Sequence, residues 1–253
     1  MRWRGNVAAL AVGFGCIAQA QALEQQRPLL ISNATVIGSH QTEFYGGMAY
    51  ELAREYANKE YDSLLVGPVG VRHGLIEQFE YGAYFNFVRN NEQDSNAPDD
   101  SGQEGLTAYG KLELTPNMVL EVGSTFNGDS DIKPYPNDGV DFFVNLPMQR
   151  AIGDNLVYGE LGYTIKENGD LGTEPTNYLN WGFGYAHHVE DGVRLNLEFV
   201  GDENPTGDNH MDALFGASLQ FGQVNVRPYM GVGIYAHSPD LTAGFNLSWD
   251  YAN

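Results

Sequence analysis

The chain has 253 residues and a formal net charge of −20, from 33 acidic and 13 basic residues. Such an acidic surface repels the phosphates of nucleic acids, which argues against a nucleic acid partner. Beyond residue 22 no stretch approaches the roughly 18 consecutive apolar residues of a membrane-spanning helix, so any passage through a membrane must use a closed barrel.

The first 22 residues, MRWRGNVAALAVGFGCIAQAQA, have the pattern of a secretory signal peptide. Two arginines precede a short apolar stretch at 7–17, and small residues follow at two cleavage sites that end at Ala20 and Ala22. A buried N-terminal helix is the less favoured alternative. Cleavage at either site removes Cys16, the single cysteine of the chain, so the mature protein is expected to contain no thiol.

Residues 23–41 show no sustained period, and we expect them to form a periplasmic N-terminal segment that precedes a barrel of residues 42–253. The first part of the barrel region is ambiguous. Residues 42–54 alternate well enough for a strand, but Met48, Ala49 and Leu52 would also share one face of a helix.

From Ser63 onward the sequence repeats segments of about ten residues in which apolar and polar side chains alternate. In FEYGAYFNFVR, Phe79 and Phe85 share one face, whereas Glu80 and Asn86 share the other. The same split recurs at 106–114, 118–126, 139–149, 156–166, 177–187, 192–201, 210–221, 223–236 and 240–251. Strands of soluble proteins average about five or six residues, whereas a tilted membrane-crossing strand needs about nine to eleven.

The connections between these segments are alternately short and long. Short turns are predicted within 73–78, 115–118, 150–155, 187–192 and 221–224. Longer loops rich in acidic residues, Gly, Asn and Pro are predicted at 90–105, 127–139, 166–176 and 201–210. Short periplasmic turns and longer extracellular loops are typical of antiparallel barrels of the bacterial outer membrane.

The number of strands follows from the position of the chain ends. The segments from Ser63 onward number eleven, whereas single-chain bacterial barrels have an even number of strands with both ends at the periplasmic rim. Residues 42–54 therefore favour a strand, and the sequence predicts an all-β, antiparallel transmembrane β-barrel of about twelve strands.

Charge determines which face of each strand meets lipid. Lys or Arg at the middle of the bilayer costs roughly 2–4 kcal/mol, so the charged faces must point inward and the apolar faces outward. The residues predicted to line the lumen are Glu51, Arg72, Glu80, Tyr84, Tyr109, Lys111, Glu113, Glu121, Asp141, Tyr158, Glu160, Arg194, Glu198, Arg227 and Tyr229. Either these side chains fill and rigidify the barrel, or they line a narrow acidic pore with aromatic walls.

The C-terminal stretch TAGFNLSW looks like the assembly signal of outer-membrane barrels. Its pattern, which resides in Thr242, Gly244, Leu247 and Trp249, implies recognition by the barrel assembly machinery. The tail DYAN beyond Trp249 departs from signals that end at the aromatic residue. Lipid and lipopolysaccharide are the other expected partners, with the acidic loops bridged loosely to lipopolysaccharide by divalent ions.

The chain resembles the outer-membrane transporter-like family associated with the meta-cleavage pathway of phenol degradation. The residues that carry the resemblance are GVRHGLIEQFEYGAYF at 70–85, LVYGELGYT at 156–164 and GVGIYAHSPDLTAGFNLSWDY at 231–251. The resemblance implies a channel or uptake protein for small compounds, often aromatic or hydrophobic ones. It carries over no catalytic residue.

Enzymatic sites and metal sites are not favoured by the sequence. His210 has no serine at the spacing that an outer-membrane phospholipase needs, and His187 and His188 are neighbours that would point to opposite faces of a strand. We therefore expect no enzyme, no metal and no cofactor. The predicted function is passive uptake of small solutes across the bacterial outer membrane; the alternative is a non-conducting structural or receptor barrel with acidic surface loops.

Overall fold

The protein folds as one closed antiparallel barrel of twelve strands, in which β12 pairs with β1. The computed structural model describes residues 29–56, 59–93, 100–130, 137–167, 177–203, 205 and 209–251. The strands are β1 Thr42–Tyr56, β2 Lys59–Ile76, β3 Phe79–Glu92, β4 Asp100–Thr115, β5 Met118–Ser130, β6 Asn137–Ile152, β7 Asn155–Ile165, β8 Tyr178–Glu190, β9 Val193–Glu203, β10 His210–Phe221, β11 Val224–Gly233 and β12 Leu241–Tyr251. Nowhere in those ranges does a helix have the length and apolar character needed to cross a membrane.

The predicted strand count and the strand at residues 42–54 are both confirmed. β1 pairs with β12 from Thr42 to Leu52 and with β2 from Thr42 to Tyr56. Pairing on both sides satisfies the backbone hydrogen-bonding groups of β1, which lipid cannot do. This tertiary requirement decides the local ambiguity in favour of the strand.

The two rims of the barrel differ as the sequence predicts. At one rim, two-residue turns at 77–78, 116–117, 153–154, 191–192 and 222–223 join consecutive strands, and β1 begins and β12 ends there. Gly153 and Gly222 occupy the first position of their turns with a φ of 62° each, a backbone conformation that is unfavourable for residues with a side chain. At the other rim the strands extend into three of the four regions predicted as long loops; β4, for example, begins at Asp100. The region predicted at 166–176 lies between the end of β7 and the start of β8.

The outer surface is a continuous apolar band. The exposed large side chains occupy alternate positions, as Phe183 and Tyr185 do on β8 and Phe245, Leu247 and Trp249 do on β12. At the end of β2, Leu75 and Ile76 are both exposed. An apolar surface of this extent would aggregate in water, whereas in a bilayer it is covered by lipid. The fold and this surface place the protein in the bacterial outer membrane.

If lipid covers the apolar band, the protein purified in detergent should resist unfolding by detergent alone. We expect a compact, fast-migrating band on an unheated gel and a shift to the unfolded mobility after boiling. Recovery as a soluble monomer without detergent would contradict the fold's membrane placement.

Trp249→Asp should reduce the amount of assembled barrel. Trp249 is 45% exposed on the outer face and stacks on Phe44 at a centroid distance of 5.9 Å, at the seam between β1 and β12. The variant places a charge at the lipid interface and loses an aromatic pair of about 0.5–1.5 kcal/mol. The matched control is Asp250→Asn, which changes no lipid-facing residue, and heat-modifiable protein in outer membrane fractions is the readout. Equal assembly of the two variants would show that this face of β12 does not meet lipid.

Candidate functional site

Every residue predicted for the lumen lies on the inward face of its strand. Those that are buried are Glu51, Arg72, Glu80, Lys111, Glu121, Asp141, Tyr158, Arg194, Glu198, Arg227 and Tyr229. Those that are partly buried are Tyr84, Tyr109, Glu113 and Glu160. That they line a pore remains a prediction, since position alone does not establish passage.

Buried ion pairs compensate the charges on the wall formed by β1 to β5. The Arg72 guanidinium lies 3.3 Å from a Glu43 carboxylate oxygen and 2.9 Å from a Glu80 oxygen. Lys111 Nζ lies 3.3 Å from Glu121 Oε2. Because these charges are shielded from water, each depends on its partner, and removing one partner would leave the other uncompensated.

Three tyrosines, Tyr45, Tyr84 and Tyr109, form what we call the tyrosine wall on β1, β3 and β4. The centroid of the Tyr84 ring lies 6.4 Å from that of Tyr45 and 6.2 Å from that of Tyr109. The hydroxyls of Tyr45 and Tyr109 are 3.4 Å apart. Lys111 Nζ lies 5.7 Å from the centre of the Tyr109 ring. This part of the inner surface therefore combines aromatic faces with hydroxyl groups.

The lumen also contains a piece of the chain itself, residues 29–38, which we call the lumen segment. It leaves the barrel wall at the short-turn rim, where His40 N donates to Gly74 O and Gly74 N donates to Gln41 O at 2.8 and 3.0 Å. Further inside, Ile37 N donates to Glu80 Oε2 on β3 at 2.6 Å. The segment is thus anchored at the rim and directed into the bore.

From there the lumen segment crosses the full width of the barrel. Lys111 Nζ on β4 donates to Asn33 O at 3.5 Å, and Ser32 N donates to Glu160 Oε2 on β7 at 3.0 Å. Its far end reaches Glu198 on β9. β3 and β9 are six strands apart in a ring of twelve and lie on opposite sides, so the segment narrows the bore from wall to wall.

Glu198 is the main polar anchor of the lumen segment. Its side chain is fully buried, and its carboxylate accepts hydrogen bonds from Leu29 N, from Leu30 N at 2.9 Å and from Ile31 N at 3.4 Å. Tyr158 OH donates a further bond at 2.7 Å. A buried carboxylate is stable only with such donors, so the segment and Glu198 stabilise each other.

Two apolar sockets on the inner wall hold alternate side chains of the lumen segment. Leu29 packs against Ala49, Leu214 and Tyr229, with Leu65 and Val200 beside them. Ile31 packs against Leu156, Tyr158 and Ala186, also next to Val200. Both side chains are almost fully buried, at 3% and 4% exposure.

Glycines on the wall make room for these side chains. A Cβ added at Gly182 would lie 2.6 Å from Ile31 Cγ1, and one added at Gly216 would lie 2.9 Å from Leu29 Cδ1. The nearest atoms to the Gly182 position belong to Ile31 and to the Glu160 side chain and include no backbone atom. The space for the segment is therefore provided by wall positions without side chains.

The lumen segment is where the structure differs most from the sequence-based expectation. Residues 23–41 were expected in the periplasm, whereas the described residues 29–38 lie inside the barrel; residues 23–28 lie outside the described part. The physical reason is burial: Leu29, Ile31 and Ala34, at 2–4% exposure, would be hydrated outside the barrel. A weak signal was available, since Leu214 next to the outward Phe215 places an unexpected leucine on the inner face.

The residues of the predicted assembly signal divide between the two faces of β12. Thr242 is buried on the inner face, and Gly244 shares that face, whereas Leu247 and Trp249 are exposed to lipid. Recognition by the assembly machinery stays a prediction. Among the described residues, no group of three or more His, Cys, Asp or Glu side chains is arranged to hold a metal ion.

Comparison with known proteins supports the architecture without assigning a family. No family model matches the sequence, and no curated protein matches it. The fold is similar to an outer membrane channel from Pseudomonas putida F1, with a TM-score of 0.60 and 12% identity over 87% of this chain and 98% of that chain. It is also similar to the translocator domain of autotransporter NalP from Neisseria meningitidis, with a TM-score of 0.53 and 14% identity over 96% and 95% of the two chains. At these identities the likeness establishes the outer-membrane barrel fold.

Gly182→Val should displace the lumen segment while leaving the wall intact. The new side chain would occupy the position of Ile31, at a cost of about 1–3 kcal/mol for overpacking, which corresponds to roughly tenfold more opening. A cysteine at Ala34, a position that is 2% exposed, reports the opening through its rate of reaction with a maleimide. We expect the rate to rise about tenfold in the Gly182→Val background.

The control adds Ile31→Ala to Gly182→Val. The second change removes the atoms that the valine meets and should restore slow labelling, below the rate of Gly182→Val alone. Equal rates in the parent, the single variant and the double variant would show that Ile31 does not contact Gly182.

Proposed function

We propose that the protein is an outer membrane channel for the passive uptake of small solutes, narrowed by its own lumen segment. The observation that supports this proposal is that a segment of the chain, and not only wall side chains, fills the bore. The bore is crossed by residues 29–38, which continue along the chain into β1 and contact the rest of the wall through non-covalent interactions. A purely structural barrel is stabilised most simply by wall side chains, which need no separate segment.

The dimensions of the barrel support the same reading. Eight strands leave an interior that side chains can fill, and about sixteen leave an aqueous channel, so twelve strands lie between these limits. In this barrel glycines on the inner wall, such as Gly182 and Gly216, open additional space that the lumen segment occupies. Displacement of the segment would free the space that Leu29 and Ile31 occupy beside these glycines.

The tyrosine wall supports the proposal that the admitted solutes include small aromatic or hydrophobic compounds. Tyr45, Tyr84 and Tyr109 belong to β1, β3 and β4, whereas the sockets that hold Leu29 and Ile31 are formed mainly by β7 to β11. Tyr84 and Tyr109 thus lie on strands that contribute no residue to the sockets, and a flat solute can pack on their rings. The hydroxyls offer hydrogen bonds to a polar substituent.

Planar bilayer recordings test the proposal directly. We expect small single-channel currents from the wild-type protein and larger currents from Gly182→Val, because the valine displaces the lumen segment. Absence of current from both proteins, when both show the heat-modifiable folded form, would instead favour a non-conducting structural or receptor barrel.

The currents should favour K⁺ over Cl⁻. The buried inward acids are Glu43, Glu51, Glu80, Glu121, Asp141, Glu198 and Asp212, against the buried inward bases Arg72, Lys111, Arg194 and Arg227. An excess of one sign in a narrow, low-dielectric tube concentrates ions of the other sign. The preference should shrink as salt rises, since the Debye length falls from about 10 Å at 0.1 M to about 3 Å at 1 M.

Glu113→Gln should weaken the cation preference without unfolding the barrel, because Glu113 is partly exposed on the inner face. The matched control is Glu77→Gln, which removes the same charge from an exposed turn at the rim. Reversal potentials in a salt gradient measure both. Anion selectivity of the wild-type channel would contradict the assignment of charges to the lumen.

A further inference from the structure

We propose that the recess occupied by residues 29–32 is a binding site for short apolar peptides, which the lumen segment occupies as a tethered peptide of the same kind. Passage of such peptides through the barrel rests on the proposed channel function. Binding of such peptides depends only on the contacts that the recess makes.

The recess accepts the N–H groups of a bent peptide, in which consecutive amides point to the same side. Glu198 accepts the amides of Leu29, Leu30 and Ile31, and Glu160 accepts the next amide, that of Ser32. Four consecutive backbone donors are thus satisfied by two carboxylates of the wall. These bonds depend on the backbone of the occupant, so another peptide can make them.

The recess also recognises the carbonyl side of the peptide. Asn246 Nδ2 on β12 donates to Leu29 O at 2.8 Å, and just beyond the recess Lys111 Nζ donates to Asn33 O at 3.5 Å. A simple ammonium ion offers only hydrogen-bond donors, and a hydrocarbon offers only apolar surface. The combination of two carboxylate acceptors with an amide donor fits a peptide backbone.

Side-chain selection in the recess comes from two sockets that hold the first and third side chains of the bent segment. Leu29 and Ile31 enter the two apolar sockets, whereas Leu30 between them is 45% exposed. Backbone hydrogen bonds combined with pockets for alternate side chains are a general mode of peptide recognition. The sockets favour branched aliphatic residues at two positions separated by one residue.

The charge distribution favours replacement of the segment by a ligand that carries donors. Glu80 and Glu121 each have a basic partner, Arg72 and Lys111, and Glu80 accepts the Ile37 amide in addition. In the described part of the chain, Glu160 and Glu198 are held instead by the amides of the lumen segment, with Tyr158 OH as a further donor to Glu198. When the segment leaves, these carboxylates need new donors, which an apolar solute without N–H groups does not supply.

The test uses the acetylated, C-terminally amidated peptide Leu-Leu-Ile-Ser and the full chain with Leu29→Ser and Ile31→Ser, which empties both sockets. Calorimetry in detergent should show binding at least about tenfold tighter than to the wild-type protein, where the segment competes. The control peptide is N-methylated at both leucines and the isoleucine, which removes three donors and keeps the side chains. It should bind at least about tenfold more weakly.

Two further variants in the Leu29→Ser, Ile31→Ser chain locate the site. Glu198→Gln should weaken peptide binding about tenfold or more, because the acceptor loses its charge, whereas Glu77→Gln, in the exposed turn between β2 and β3, should leave it unchanged. Equal affinity for the two peptides, or equal affinity in the two glutamine variants, would overturn the proposal.

A second readout does not depend on the doubly substituted chain. In an otherwise wild-type protein with Ala34→Cys, excess peptide should raise the rate of maleimide labelling, and the N-methylated peptide should not. A labelling rate that does not change when the peptide is added would overturn the inference even if the channel conducts. Conversely, peptide binding by a protein that carries no current would support the site and contradict the proposed channel function.

Discussion

Closure of the sheet between β1 and β12 is the constraint on which the rest of the structure depends. In lipid every backbone N–H and C=O must find a partner within the protein, and an open edge strand cannot meet that requirement. The pairing of Thr42 with Tyr251 through to Leu52 with Leu241 removes both edges. Once the sheet is closed, each strand has one face toward lipid and one toward the bore, and the alternation of its side chains follows.

The same closure creates an interior that must be filled or hydrated. On one side the filling comes from wall side chains: Arg72 with Glu43 and Glu80, and Lys111 with Glu121, under the tyrosine wall. On the other side the wall carries apolar residues and glycines, and the lumen segment supplies the missing side chains and donors. The interior is therefore asymmetric. One half contains the buried ion pairs, which the lumen segment contacts at Glu80 and Lys111, and the other half contains the two sockets and Glu198, which the segment fills and supplies with donors. This asymmetry is the physical basis for assigning a binding role to the second half.

The barrel could be predicted from the sequence because its signals are local and repeated. A period of two, charges confined to one face and alternating connection lengths recur along most of the chain, and they fixed the strand number and the orientation of residues such as Glu80 and Phe85. The lumen segment could not be predicted in the same way. It has no repeat, and its decisive contact joins Leu29 to Glu198, 169 residues away. A buried glutamate on an inward face looks the same in sequence whether it pairs with an arginine, as Glu80 does, or with backbone amides, as Glu198 does.

The central claim, that residues 29–38 lie across the bore, is tested most directly by a disulfide between the segment and the wall. Cysteines that replace Ile31 and Gly182 would have their Cβ atoms close together, since a Cβ at Gly182 lies 2.6 Å from Ile31 Cγ1. A pair at Ile31 and Thr125, which lies on the inner face of β5, is the control. The account predicts that mild oxidation of outer membranes cross-links most of the first pair and little of the second, as judged by gel mobility and peptide mass. Failure of the first pair to cross-link in a correctly assembled barrel, or equal cross-linking of both pairs, would contradict it.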